Sequence, residues 1–221
     1  MAITFVGAAC AFTTASTNTT LAVSLPPSSA SNLLLVGLAA RNNGAPTLSA
    51  PAGWTQIGAT LGAGAWHEAL WYRVATGLET STCTFTVSAN NSMVGVAAAF
   101  AGVDTTTPIF SSGSQDNGTT ANASLPMISP AIINTELVYF NVSSNSQTTT
   151  ADAATALCLD VQSTGGNTIS GNLATELFTS SGASSVRVEV LSNSAQNGSW
   201  TVALAPSGAP GTGGPLVDLQ V

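Results

Sequence analysis

Positive charge is almost missing from this chain of 221 residues, which has no lysine and only three arginines, Arg41, Arg73 and Arg187. Charged residues make up 6% of the sequence, against about a quarter in an ordinary soluble domain. With a formal net charge of −7, the chain cannot neutralise a row of phosphates, so no nucleic-acid partner is expected. Binding to an anionic membrane is disfavoured for the same reason.

Residue types that carry out catalysis or bind metals are also scarce. His67 is the single histidine, and its neighbour Glu68 points to the opposite face of a strand-like segment. Three cysteines, Cys10, Cys83 and Cys158, show no CxxC spacing and predict free thiols rather than a zinc or redox site. The GxSxG, HExxH, P-loop and GxGxxG motifs are all missing. We therefore predict that the chain is not an enzyme, with no catalytic residues, no cofactor and no metal site.

Long hydrophobic runs are missing as well. The longest, Leu33–Ala40 and Val94–Ala101, have the length of strands, whereas a membrane-spanning helix needs about 20 apolar residues. The first ten residues lack the basic region and the long apolar core of a secretory signal, so export by that route is not expected.

What the sequence does contain is strand patterning. Period-two alternation and β-branched or aromatic runs recur between clusters of Gly, Pro, Asn and Ser, and helical periodicity is nearly absent. This pattern predicts an all-β fold without substantial helix, an antiparallel, jelly-roll-like β-sandwich. The predicted strands are Ile3–Val6, Thr20–Leu25, Leu33–Ala40, Trp54–Ala59, Ala65–Val74, Cys83–Ser88, Met93–Ala101, Ala123–Met127, Glu136–Val142, Ala156–Val161, Leu173–Phe178, Ser185–Leu191 and Trp200–Ala205.

The strand pattern repeats loosely after about a hundred residues. The repeat predicts two halves, about 1–110 and 111–205, packed as one sandwich with roughly 10 Å between sheets. Two separate domains joined near Ser111–Thr120 are the alternative. The matched segments are Leu21–Pro26 with Asn122–Pro126, Leu33–Val36 with Glu136–Phe140, Cys83–Val87 with Val186–Val190, and Val96–Phe100 with Trp200–Leu204.

Large aromatic residues are expected to form the core. On strand Ala65–Val74 we assign the face that carries Glu68 to the core, and we expect His67 to be exposed beside Trp71. The four tryptophans could instead form a sugar-stacking platform, but large aromatics at alternating strand positions are more often buried. The predicted core residues are Trp54, Trp66, Tyr72, Phe85, Phe100 and Trp200.

The C-terminus changes composition. Residues 206–215 are rich in Gly and Pro and predict a linker. Residues 216–221 form a short apolar arm that we expect to dock on a neighbouring subunit by strand addition. The residues predicted to make this assembly contact are Leu216, Val217, Leu219 and Val221.

The stretch Ser49–Ile57, which reads SAPAGWTQI, is the most recognisable in the chain. Together with the segments named below, it resembles a loosely defined family of β-sandwich virion proteins of tailed bacteriophages. The resemblance covers roughly residues 21–109. The family often has an Asp before its Leu-Leu-Val strand, where this chain has Ser31-Asn32, so a polar turn is kept without the charge. The accompanying segments are Leu33–Val36, Leu70–Ala75, Cys83–Thr86 and Ala98–Asp104.

The shared motifs are structural, so the resemblance implies no active-site residues. It implies a capsid decoration, head-fibre or tail-associated protein, and we favour a capsid decoration protein on the virion surface. The expected partners are the major capsid protein or tail proteins, and further copies of the chain in a homo-oligomer, with a trimer favoured. The lack of lysine fits this expectation, because unguarded sheet edges then have to be hidden in subunit contacts.

Two other function classes remain open from the sequence. A tail-associated receptor- or carbohydrate-binding protein would need exposed aromatic residues with Asn or Asp partners in the loops. An extracellular bacterial surface or filament subunit would need strand donation between subunits and an export route.

Deletion of residues 207–221 tests the predicted arm. The truncated protein should keep its β-sandwich by circular dichroism, because the linker and arm lie beyond the last predicted core strand. Its assembly, or its attachment to the particle, should weaken, because the added strand supplies affinity through its backbone. Unchanged assembly of the truncated protein would contradict the arm.

Overall fold

The computed structural model describes residues 2–14, 17–41, 46–62, 66–129, 133–164, 167–180 and 182–208. These ranges contain strands but no helix, and hence no helix that could span a bilayer. The predicted all-β antiparallel sandwich is confirmed. The strands are β1 (Thr4–Phe12), β2 (Asn18–Ser24), β3 (Leu33–Arg41), β4 (Leu48–Ser49), β5 (Thr55–Leu61), β6 (Trp66–Val74), β7 (Thr82–Ala101), β8 (Ile109–Leu125), β9 (Thr135–Ser143), β10 (Thr149–Thr150), β11 (Ala156–Gln162), β12 (Ser170–Phe178) and β13 (Arg187–Leu204).

Each half of the chain forms one sheet, and the two sheets share a strand order. The first sheet runs β1-β7-β3-β6-β5, with β2 and β4 also paired to β7. The second runs β8-β13-β9-β12-β11, with β10 also paired to β13. The predicted arrangement of two packed halves is therefore confirmed. The alternative of two domains linked near Ser111–Thr120 is wrong, because this segment lies within β8 and pairs with β13.

Two long strands hold the architecture together. β7 has 20 residues and β13 has 18, although the sequence predicted each as two separate strands. In β7, residues 82–91 pair with β2 and β4, whereas residues 92–101 pair with β1 and β3. In β13, the start pairs with β10 and the end with β9, while β8 pairs along its length. The first part of each strand, residues 82–91 of β7 and 187–191 of β13, thus lies outside the main sheet. We call these segments, with the strands paired to them, the outer layer of each half. The remainder of each strand belongs to the main sheet.

The main core lies between the two sheets. Leu35 and Phe100 of the first sheet belong to the same buried cluster as Phe140, Trp200 and Val202 of the second. A second cluster covers the outer face of the first sheet, where Val36 and Leu38 pack with residues of the outer layer. Strand β3 is therefore buried on both faces, which explains its unbroken apolar run.

The outer layer corrects one expectation from the sequence. The face of β6 that carries Trp71 was predicted to be exposed, but Trp71 is buried against Phe85 of the outer layer, with ring centroids 5.3 Å apart. His67, on the same face near the end of the strand, is half-buried. Segment 82–88 folds back over this face, and a strand pattern taken alone does not specify such a return.

The pairing of the strands shows which residues of the first half are equivalent to which residues of the second half. The short strands β4 and β10 pair Leu48 with Val87 and Thr149 with Leu191. Val87 is thus equivalent to Leu191, and Phe85 is equivalent to Glu189. The sequence match of Cys83–Val87 with Val186–Val190 was one residue out of register, because it aligned apolar residues with one another. A shift of one residue in a strand exchanges its two faces.

The sheets approach closely at Gly37. Gly37 pairs with Val96 and Phe140 pairs with Trp200, so Gly37 and Phe140 occupy equivalent positions in the two halves. A methyl group on Gly37 would lie 2.7 Å from the Phe140 ring. The large ring of one half thus fits over the bare backbone of the other.

The end of the described chain is held at the sandwich. Pro206 bridges to Val103, and the Ser207 amide donates a hydrogen bond of 2.8 Å to the Gly102 carbonyl. The rest of the predicted linker and the whole predicted arm lie outside the described residues. A truncation after Gly208 removes both and keeps these contacts.

Replacing Gly37→Ala should destabilise the sandwich by about 1–3 kcal/mol, because overpacking a filled core forces the Phe140 ring or the backbone to move. Denaturant unfolding followed by tryptophan fluorescence measures this change. Gly7→Ala is the control, since its added methyl would lie 3.6 Å from Pro26, an ordinary contact. Equal stabilities of the two variants would contradict the close approach at Gly37.

Candidate functional site

All three arginines bind groups within the chain. Arg41, at the end of β3, donates hydrogen bonds of 2.8 Å to the Asn145 side chain and to the Thr168 carbonyl of the second half. Arg73 forms an ion pair with Glu79 at 3.2 Å. The scarce positive charge is therefore used for structure.

Arg187 forms the most extensive of these contacts. Its Nε donates to Glu176 at 2.9 Å, and the Tyr139 hydroxyl donates to the same carboxylate oxygen at 2.8 Å. Burial first, and then the Glu176 carboxylate, raise the pKa of Tyr139. The hydrogen bond to Glu176 raises the pKa of Arg187. These residues form a polar tie between β9, β12 and β13.

His67 and the cysteines are not gathered into a reactive centre. His67 is half-buried and Glu68 is fully buried on the opposite face, as the alternation of β6 predicted. Cys10 and Cys83 are free and half-buried, and burial raises the pKa of both thiols. Cys158 lies in β11, but its side chain is outside the description. No group of three or more His, Cys, Asp or Glu residues that could hold a metal occurs in the described part of the chain.

The tryptophans do not form an exposed platform. Trp66, Trp71 and Trp200 are buried, and the half-buried Trp54 packs edge-to-face against Phe85 with centroids 5.7 Å apart. The burial of three of the four removes the stacking surface that a sugar would need. Among the other predicted core residues, Phe85 and Phe100 are buried and Tyr72 is half-buried against the main core.

One buried carboxylate lies between the sheets. Glu68 is fully buried, and neither of its oxygens accepts a hydrogen bond. Burial raises the pKa of Glu68 well above its usual range, and the charge of Asp116 adds to the shift. The sequence placed Glu68 on the core face of β6 but gave no signal that it would lack a partner.

A second buried carboxylate lies under the outer layer of the second half. Glu189 accepts hydrogen bonds from the side-chain amides of Asn141 at 3.1 Å and Asn172 at 2.9 Å. Burial raises the pKa of Glu189, and the two amide hydrogen bonds oppose the shift. This network was not predicted from the sequence, because the match of Cys83–Val87 with Val186–Val190 aligns Val188, rather than Glu189, with the core residue Phe85.

Because Glu189 of β13 points inward, three valines that alternate with the inward residues point outward. Val188 and Val190 of β13 alternate with the inward residues Glu189 and Leu191, and Val186 directly precedes the strand; the three valines are 37%, 48% and 51% exposed. We call them the valine stripe. The equivalent residues of β7 are Thr82, Thr84 and Thr86, which are also exposed. Valine and threonine have nearly the same shape, so the halves differ here in polarity and not in form.

The predicted assembly residues Leu216, Val217, Leu219 and Val221 lie outside the described residues. Phe5, Val6 and Phe12 of edge strand β1 are also exposed, but the valine stripe is the apolar row whose equivalents in the other half are polar, and we take it as the assembly candidate. No sequence signal named it, because a valine in a strand is expected in the core.

The chain matches no known family model, no curated protein and no solved structure.

Replacing Glu68→Gln should flatten the pH dependence of stability. The folded state holds the proton more tightly than the unfolded chain, whose pKa is near 4.5. Stability therefore falls as the pH rises above 4.5, by at most about 1.4 kcal/mol per pH unit for one group. The variant should lose this slope and exceed the parent in stability at pH 7, as measured by denaturant unfolding from pH 4 to 8.

Glu79→Gln is the control, because the pKa of Glu79 is shifted in the opposite direction to that of Glu68. Burial acts to raise the pKa of Glu79, but hydrogen bonds from Thr76 and Gly77 outweigh it and lower the pKa. The Glu79 variant should therefore lose stability at neutral pH relative to the parent, and the difference should vanish at low pH. Parallel pH curves for the parent and the Glu68 variant would contradict a buried, neutral Glu68.

Proposed function

We propose that the chain is a non-enzymatic structural protein of a bacteriophage virion, a capsid decoration protein that packs on the outer surface of the head. The observation that carries this proposal is the valine stripe. An exposed apolar row on a strand layer, at positions where the matching layer has threonine, favours contact with another protein over contact with water.

The charges of the chain also favour a structural role over a catalytic one. The three cations bind partners within the chain, and the acidic side chains outnumber them by ten to three. Such a surface would sit on the outside of a particle, away from its packaged DNA. The sequence resemblance to phage virion proteins points to the same place.

The small area of the stripe favours attachment through several copies of the chain at once. Three half-exposed valines offer apolar area on the order of 200 Å², whereas a stable interface buries about 800 Å² on each partner. One stripe alone is too small to hold two free proteins together. A homo-oligomer, a trimer in our proposal, would present several stripes to a regular shell and convert weak contacts into firm attachment.

The triple variant Val186→Thr, Val188→Thr and Val190→Thr tests this surface. It copies the first half onto the second, so the fold should persist by circular dichroism. Its binding to virions that lack the chain should fall at least tenfold in co-sedimentation, because the apolar contact is lost at every copy. The particles are those of the phage that encodes the chain.

The matched control exchanges valines and threonines between the halves. It adds Thr82→Val, Thr84→Val and Thr86→Val to the triple variant, so that composition is unchanged and the stripe is moved. We expect this protein also to bind poorly. Full binding by either variant would show that the stripe is not the attachment surface, and failure of the parent to bind particles would overturn the virion assignment.

A further inference from the structure

The outer layer of the second half covers a group of oxygen-bearing side chains. We call it the Glu189 cluster, and its members are Glu189, Asn141, Asn172 and Asp160. The equivalent part of the first half is filled with apolar side chains. By register, Glu189, Asn141 and Asn172 take the places of Phe85, Leu38 and Ala69.

The hydrogen bonds in the cluster leave several of its oxygens without a partner. Asn141 and Asn172 both donate to the same oxygen of Glu189, Oε2. The second oxygen of Glu189 and the amide oxygens of both asparagines have no partner. All three residues are almost fully buried, and a buried acceptor without a partner costs about 1–3 kcal/mol.

Asp160 extends the cluster towards solvent. It pairs with Asn172 across β11 and β12, so both side chains lie on one face of the sheet. Its Oδ2 accepts a hydrogen bond of 3.0 Å from the Thr149 amide of β10, and its buried Oδ1 has no partner. Asp160 is half-buried and lies on the edge strand of its sheet, so it is the member of the cluster nearest to solvent.

A cation would stabilise the cluster more than a hydrogen-bond donor would. Its four unpartnered atoms are all acceptors, and two belong to carboxylates that form no ion pair with an arginine of the described residues. Protonation of Glu189 would supply one donor for one of the four. A cation would satisfy several acceptors together and would balance both carboxylates.

We propose that the Glu189 cluster is a binding site for a calcium ion, which departs from the prediction of no metal site made from the sequence. Calcium takes six to eight oxygen ligands in adaptable geometry and accepts carboxylates and side-chain amides together. Magnesium requires a strict octahedron and retains several waters, and zinc prefers nitrogen and sulfur ligands, which this cluster does not contain. Rotation of the Asn141 and Asn172 amides would turn their oxygens towards the ion. The hydroxyls of Ser143 and Thr201, also without partners, lie on the same face of the sheet.

Thermal unfolding of the chelator-treated full chain tests the site. At calcium concentrations about a hundredfold above the dissociation constant, the melting temperature should rise by about 5–10 °C. The same concentration of magnesium should shift it much less. Isothermal titration calorimetry with calcium chloride should give one site per chain.

Variants locate the site. Glu189→Gln and Asp160→Asn should each abolish the calcium shift, and Asp160→Asn, at a half-buried position, is the variant expected to fold in any case. Glu68→Gln is the matched control, because Glu68 is an equally buried carboxylate whose oxygens accept no amide hydrogen bond, and this variant should keep the full shift. No calcium shift in the parent, or a full shift in Asp160→Asn, would overturn the proposal.

Discussion

The fold depends on one constraint, which is that the inner strands of both sheets must be covered on two faces. Each sheet buries one face against the other sheet, and the apolar residues of β3 and β7 leave a second face to be covered. The return of β7 and β13 into outer layers meets this need within each half. Once these long strands bend, the partners of β2, β4 and β10 follow, since these strands pair with the returning segments.

The two halves meet the same constraint with different chemistry. In the first half the outer layer turns Phe85 and Val87 inward and threonines outward. In the second half it turns Glu189 inward and valines outward. The polarity of the layer is thus partly inverted while its backbone is retained. An inversion of this kind weakens the interior, because it buries a carboxylate with one oxygen unpartnered. The proposed ligand inside and the proposed partner outside would each compensate for one side of the inversion.

Much of the fold could be predicted from the sequence. Alternation and turn residues gave the all-β class, most of the strands and the division into two halves. Glu68 was placed on its correct face, because its neighbours Trp66 and Leu70 define that face clearly. The joins within β7 and β13 were missed, since the polar residues at their bends, such as Asn90 and Asn91, also occur in loops.

The site was harder to predict, for a physical reason. Apolar patterning assigns valine to the interior and glutamate to the surface, and β13 does the reverse at Val188 and Glu189. Only the cross-strand register fixes the faces, and register depends on the partner strand rather than on β13 itself. The burial of Trp71 was missed for a related reason, because the chain that covers it comes from a segment folded back over the sheet.

A cryo-electron microscopy reconstruction of the assembled particle, at a resolution that shows side chains, is the decisive test of the proposed decoration protein. Val186, Val188 and Val190 should face a neighbouring protein of the shell. The equivalent threonines of β7 should face solvent. A particle in which the valine stripe faces solvent and another surface makes the contacts would contradict this proposal.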